Sequence, residues 1–176
     1  MTDLCPLAHR DVESPIGPLR IVASSFGVRA ILWPDDQGRV PTATSGGAPS
    51  ATEAAAIDAH LERAAAQLAE YFVGSRVDFD LDLDPVGTEF QQQAWAALRA
   101  IPHGETVSYG EQARRLGDPN KARAVGAANG KNPISIVVPC HRVVGSNGAL
   151  TGFAGGLDTK RWLLDHESRV AGTTLL

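Results

Sequence analysis

Cysteine is scarce in this chain of 176 residues: there are two, Cys5 and Cys140, far apart in sequence. That excludes a small scaffold stapled by disulfides and points to a reducing compartment. Long apolar runs are missing, so no membrane span is expected. Met1 to Arg10 lacks the basic-then-apolar layout of a secretory signal. A cytoplasmic protein is the expectation. An excess of basic charge is missing as well: 16 Lys and Arg stand against 20 Asp and Glu, a net charge of −4, which at first argues against nucleic acid as a partner. Hydrophobic content of 43% and charged content of 20% fit a globular chain of one large or two small domains.

What is present centres on Pro139-Cys140-His141-Arg142-Val143. The apolar run before it, Ile134-Ser135-Ile136-Val137-Val138, reads as a buried strand. Sulfur attacks as thiolate, and a neighbouring base or positive charge raises the thiolate fraction at neutral pH. Cys140 beside His141 is therefore a candidate nucleophile. The alternative is a small buried hydrophobe, the commonest fate of a cysteine outside a disulfide. Charge distribution bears on the choice. From His103 to Arg142 six basic residues face three acidic ones, a net +3, which leaves −7 for the rest. A basic segment in an acidic protein can form a local phosphate-binding face.

In the first half, Leu19 to Ser24 and Val28 to Trp33 read as strands joined at Ser25-Phe26-Gly27. Pro34 to Ser50 lacks periodicity and reads as a long loop. Thr52 is expected to cap a helix from Glu53 to Val73, with Ile57, Leu61, Leu68 and Phe72 on one face and Gly74 at its end. Val77 to Leu83 alternates like a half-buried strand. The expected domains are 1–83, a linker 84–87, and 88–176.

In the second half, Thr88 caps a helix carrying Phe90, Trp95, Leu98 and Ile101. Glu105 to Leu116 reads as a short helix. Asp118-Pro119 starts another that runs to Asn129 and ends at Gly130. Together they look like a helix-turn-helix. Arg123, Gly126, Ala127 and Gly130 share one face of the second helix. A basic residue followed by small ones suits close approach to a nucleic-acid groove; tight helix–helix packing is the alternative. Gly152-Phe153-Ala154-Gly155-Gly156 reads as a flexible loop with donor N–H groups. Asp158 to Glu167 reads as the last helix.

From Gly87 to Glu167 the chain closely resembles the O6-alkylguanine-DNA alkyltransferases, also called methylated-DNA–protein-cysteine methyltransferases. The resemblance rests on Ile101-Pro102-His103-Gly104-Glu105-Thr106, Ser108-Tyr109, Ala122-Arg123-Ala124-Val125-Gly126, Asn132-Pro133, Val138 to Val143, Lys160-Arg161-Trp162-Leu163-Leu164 and His166-Glu167. The first half is similar more loosely, through Ser14 to Leu19 and Tyr71-Phe72. The resemblance implies a ribonuclease-H-like α/β N-terminal domain and a mainly α, winged helix-turn-helix C-terminal domain. It implies direct repair of DNA by irreversible, single-turnover transfer of the alkyl group from O6-alkylguanine to Cys140, with O4-alkylthymine left open. The partner would be double-stranded DNA carrying the lesion. A monomer is expected, with clustering on DNA left open.

The same resemblance implies the roles. His141 would act as base through a water, oriented by Glu167, a geometry consistent with neighbouring residues of extended chain facing opposite ways. Tyr109 would donate to the departing guanine, and Asn132 would fix the turn before the cysteine. Arg123 would replace the extruded base, with Ala124, Gly126, Ala127, Gly130 and Lys131 along the DNA. Backbone carbonyls of Cys140 and Val143 and the N–H of Ala154 would read the base, with Phe153 and Lys160 completing the pocket. Two positions depart from the family: Phe153 stands where tyrosine is common, and Ser135 where some members have proline. No cofactor is expected. No metal is expected either, since Cys5 and His9 supply at most part of a four-ligand zinc site. Three rivals remain: a lesion binder without transfer, a cysteine hydrolase using Cys140, His141 and Glu167, and a dimeric transcription regulator.

Overall fold

The computed structural model describes residues 5–36, 40–41 and 47–172, which fall into two compact units, Met1–Val86 and Gly87–Leu176. In the first, β1 (Leu7–Val12), β2 (Leu19–Ser24) and β3 (Gly27–Leu32) form an antiparallel sheet in chain order. Strands β2 and β3 follow the sequence expectation. β1 was not legible: its middle, His9 to Asp11, is exposed and breaks any apolar alternation. Helix α1 (Ala51–Phe72) packs on this sheet through Ile57, Leu61, Ala64 and Leu68.

The cap of α1 is Ser50, not Thr52. Ser50 Oγ accepts from Glu53 N at 3.2 Å, and Glu53 accepts from Ser50 N at 2.8 Å. Both residues have capping side chains, but only Ser50 is followed three positions later by glutamate, which closes the reciprocal pair. Of the expected 34–50 loop, Pro34–Asp36 forms a single 3-10 turn and Val40 packs on Val22, Ala30 and Leu32; residues 37–39 and 42–46 of that expectation lie outside the described residues.

Val77 to Leu83 is not a strand. Only Leu83 bridges to Val28. The reason is that α1 takes its backbone groups: Gln67 bonds both Asp80 O and Asp80 N at 2.9 Å, and Arg63 donates to Asp80 O. Close approach at Gly27 completes the joint, since a Cβ there would lie 2.5 Å from Asp82 O.

The second unit is mainly helical. Helix α2 (Glu89–Arg99) starts with the Thr88–Gln91 reciprocal cap and buries Trp95, whose indole donates to Ala128 O at 2.9 Å. β4 (Val107–Ser108) follows, and α3 (Tyr109–Arg115) begins only after it, four residues later than expected. Thr106 and Val107 favour extended chain, and Ser108 caps by accepting from Glu111 N. Gly117 turns the chain at φ +99°, Asp118 caps a 3-10 turn at Pro119–Lys121, and α4 (Ala122–Gly130) continues from it. β5 (Val143–Val144) pairs in parallel with β4, and α5 (Leu157–Val170) ends the described chain. Helices α3 and α4 with this small sheet make the winged helix-turn-helix, and α4 buries Val125, Ala128 and Asn129 against its neighbours.

The run Ile134 to Val138 is buried, as expected, but it is a compact turn rather than a strand. Val138 N donates to Ile134 O at 2.9 Å, and Val137 N to Ser135 O at 3.0 Å. Ile136 sits at φ +76°, a conformation that β-branched residues seldom adopt. A short apolar run has burial but no period, so it cannot announce which of the two it forms.

Candidate active site

Two features of the 132–142 segment position the thiol. Asn132 is buried and spans the turn: its amide donates to Val138 O at 2.8 Å, and its carbonyl oxygen accepts from Ile134 N at 3.0 Å. Cys140–Arg142 then forms a 3-10 turn, not the extended chain read from sequence. That turn separates two neighbours sharply. Cys140 is half-buried on the wall of a cavity of about 600 Å3, while His141 is wholly buried.

Behind the thiol lies a dense ionic cluster. His141 Nε2 is 2.7 Å from Glu167 Oε1. Arg142 grips the same carboxylate with two bonds of 2.9 Å and donates to Ile101 O at 2.7 Å. Gly104 N adds a bond of 3.3 Å to Glu167. Burial alone would raise the Glu167 carboxyl, but the His141 and Arg142 contacts outweigh it and hold the group well below the usual carboxylate range. An ionised carboxylate only accepts, so Nε2 of His141 carries the proton. Burial, only partly opposed by Glu167, pushes the His141 pKa down and keeps the ring neutral at neutral pH. The lone pair is then on Nδ1, a buried atom with no hydrogen-bond partner among the described residues.

The cavity wall around Cys140 comes from α3, α4, the 132–138 turn and the loop before α5. Tyr109, Arg123, Gly126, Ser135, Phe153 and Ala154 line it. Arg123 is exposed, and Gly130 opens on space: a Cβ there meets nothing within 4 Å. A Cβ on Gly126 would make ordinary contact with the Tyr109 ring at 3.6 Å. Gly126 and Gly130 therefore face the cavity. Ala124, Ala127 and Lys131 are exposed on or just beyond α4 but do not line the cavity.

Val143 and Lys160 are also off the wall. Lys160 is fully buried beneath it, donating to Val143 O at 2.7 Å and to Thr151 O at 2.9 Å. The two carbonyls named as base readers thus have donors already: Cys140 O accepts from Val143 N and Val143 O from Lys160. Burial lowers the Lys160 pKa, while Cys140 nearby favours its charged form.

Four residues of this site had no role in the sequence reading. Arg142 stood inside the pentapeptide, but nothing in a sequence says which carboxylate an arginine meets. Gln112 and Asn129 exchange bonds of 3.1 and 2.8 Å and lock α3 to α4. Thr151 has no signal beyond its place before the glycine-rich loop; the Tyr109 hydroxyl donates to its carbonyl at 3.0 Å.

Residues 89–169 match the model of the 6-O-methylguanine DNA methyltransferase DNA-binding domain, and residues 8–85 that of the ribonuclease-like domain of the same methyltransferase. A methylated-DNA–protein-cysteine methyltransferase of Mycolicibacterium paratuberculosis is 46% identical over 96% of this chain and 97% of its own length. One of the same description from Salmonella typhimurium is 45% identical over 92% and 95%. Among solved structures, Mycobacterium tuberculosis OGT in complex with DNA superposes with a TM-score of 0.79 at 43% identity, covering 93% of this chain and 94% of that one.

Proposed function

The chain belongs to the 6-O-methylguanine DNA methyltransferase family, and from that premise we propose that Cys140 is the residue that takes up the alkyl group. The chain is an alkyltransferase: it moves an alkyl group from DNA to a cysteine, and DNA is its partner. The substrate base is O6-alkylguanine in duplex DNA, swung out of the stack into the cavity. The observation that carries the assignment is the contrast at one peptide bond. Cys140 faces the cavity, and His141 behind it is buried, neutral and joined to an ionised Glu167.

The thiol proton passes to His141 Nδ1 through a bridging water. The ring then carries a positive charge that Glu167 offsets. The sulfur lone pair forms the S–C bond. The C–O6 bond breaks, and its electrons stay with the guanine. Attack is on a saturated carbon, so no oxyanion hole is needed; stabilising the departing guanine anion is. Tyr109 supplies the proton to the base, and the proton taken from the thiol returns to Tyr109 by way of solvent. Hydrogen has replaced the alkyl group on guanine. The thioether is stable, so each molecule acts once. Arg123, at the exposed start of α4, fills the gap left in the stack and offsets part of the flipping cost.

The protein acts as a monomer in the cytoplasm, where both cysteines persist as thiols. No helix among the described residues is long and apolar enough to cross a membrane. The test is intact mass after incubation with excess duplex carrying O6-methylguanine. One methylene per molecule, mapped to Cys140 and absent in Cys140→Ala, is expected. Binding without a mass shift would leave a lesion binder, and repeated turnover a hydrolase.

A further inference from the structure

Three contacts of the site converge on Thr151, a residue in the loop between β5 and α5. The Tyr109 hydroxyl donates to its carbonyl at 3.0 Å. Lys160 donates to the same carbonyl at 2.9 Å. The Thr151 hydroxyl lies 3.3 Å from the Tyr109 oxygen and donates to it. The direction of that last bond follows from counting protons. A phenol has one, here placed on the carbonyl, so its oxygen can only accept from the threonine. Tyr109 and Thr151 both line the cavity that holds Cys140.

Resting on the reading of Tyr109 as proton donor to the departing guanine, we propose that Thr151 is a positioning residue that readies that proton. Its two oxygens do different work. The carbonyl holds the Tyr109 proton before the base arrives. When Tyr109 turns to the base, the carbonyl of exposed Thr151 keeps Lys160 as its donor, so the turn costs little. The hydroxyl then matters most. As guanine leaves with the C–O6 electrons, its ring takes the Tyr109 proton and the phenol oxygen gains negative charge. Thr151 Oγ1 is the donor already aimed at that oxygen. A separation of 3.3 Å is long for such a bond, as befits a contact that tightens only when substrate is bound. Lys160, bonded to both Val143 O and Thr151 O, ties the loop to β5 and fixes where the threonine stands.

The experiment compares single-turnover alkyl transfer from duplex O6-methylguanine by the wild type, Thr151→Val, Thr151→Ser, Tyr109→Phe and the Thr151→Val/Tyr109→Phe double variant. Valine keeps the shape and removes the hydroxyl; serine keeps the hydroxyl. Thr151→Val is expected to be roughly fivefold to tenfold slower, the size of one ordinary, partly solvated hydrogen bond. Thr151→Ser is expected near the wild-type rate, and Thr151→Val should add almost nothing on top of Tyr109→Phe. If Tyr109→Phe is slow but Thr151→Val matches the wild type, the inference falls while the Tyr109 reading stands. If Thr151→Val slows both backgrounds equally, its effect is packing and the inference falls. If Tyr109→Phe is as fast as the wild type, the Tyr109 reading fails and takes this inference with it.

Discussion

Each unit of this protein holds a carboxylate gripped by an arginine, and the two clusters differ in one atom that matters. In the first unit Asp84 accepts from Arg29 at 2.5 and 3.2 Å and from Ser24 at 2.5 Å. In the second, Glu167 accepts from Arg142 and from His141. Both join segments far apart in sequence. The Asp84 cluster contains no base, and its serine and arginine spend their donors on structure. The Glu167 cluster contains a neutral imidazole whose second nitrogen has no partner among the described residues, next to a thiol on a cavity wall. Buried charge by itself marks a fold's joints. A buried base with a lone pair to spare, beside a nucleophile, marks its chemistry.

Removing one carboxylate from each cluster sharpens the contrast most. Glu167→Gln leaves Arg142 buried without its counter-charge, costing about 3–5 kcal/mol of stability, and should slow transfer on the order of 100-fold by misplacing the base. Asp84→Asn, at a side chain about a quarter exposed, should cost about 1–2 kcal/mol after allowing for solvent, with the transfer rate unchanged. Denaturant melts and single-turnover assays read both. If Glu167→Gln destabilises but transfers normally, the two clusters are alike and the contrast is wrong.

Smaller effects separate the cavity's DNA face from its chemistry. Arg123→Ala should slow transfer from duplex DNA on the order of tenfold, because the flipping cost is no longer offset, while leaving reaction with a free O6-alkylated guanine base unchanged. Equal loss on both substrates would move Arg123 into the chemistry. Gly130→Ala is the mildest case. Its Cβ meets nothing within 4 Å, so stability should stay within about 0.5 kcal/mol of the wild type, and DNA affinity should fall slightly. A clear drop in melting temperature would instead mean that the small face of α4 is a packing surface.

The sequence was most readable where structure is local. Thr88 and Asp118, both read as caps, cap the elements after them through their own side chains. The Cys140 pentapeptide pointed to a candidate nucleophile, and the family resemblance added Asn132 and Glu167 to it. Readability failed where distant side chains decide the backbone. Gln67 and Arg63 keep 77–83 from pairing as a strand. Asn132 folds the apolar run at 134–138 into a turn. Thr151 and Arg142 matter through partners 42 and 25 residues away, a relation that no local pattern encodes.

The most direct test of the account is the pH dependence of single-turnover transfer, in the wild type and in His141→Ala. Burial lowers the His141 pKa from its ordinary 6.5. Above that value the ring is neutral in folded and unfolded chains alike. As pH falls below it, the unfolded chain binds the proton first, so stability declines before the folded ring itself protonates and the base is lost. The predicted wild-type rate is flat from pH 7 upward and falls only in acid, below 6.5. A wild-type rate that instead climbs tenfold per unit toward about pH 8.5, the ordinary thiol value, and is matched by His141→Ala, would mean that Cys140 ionises unaided and would contradict the account.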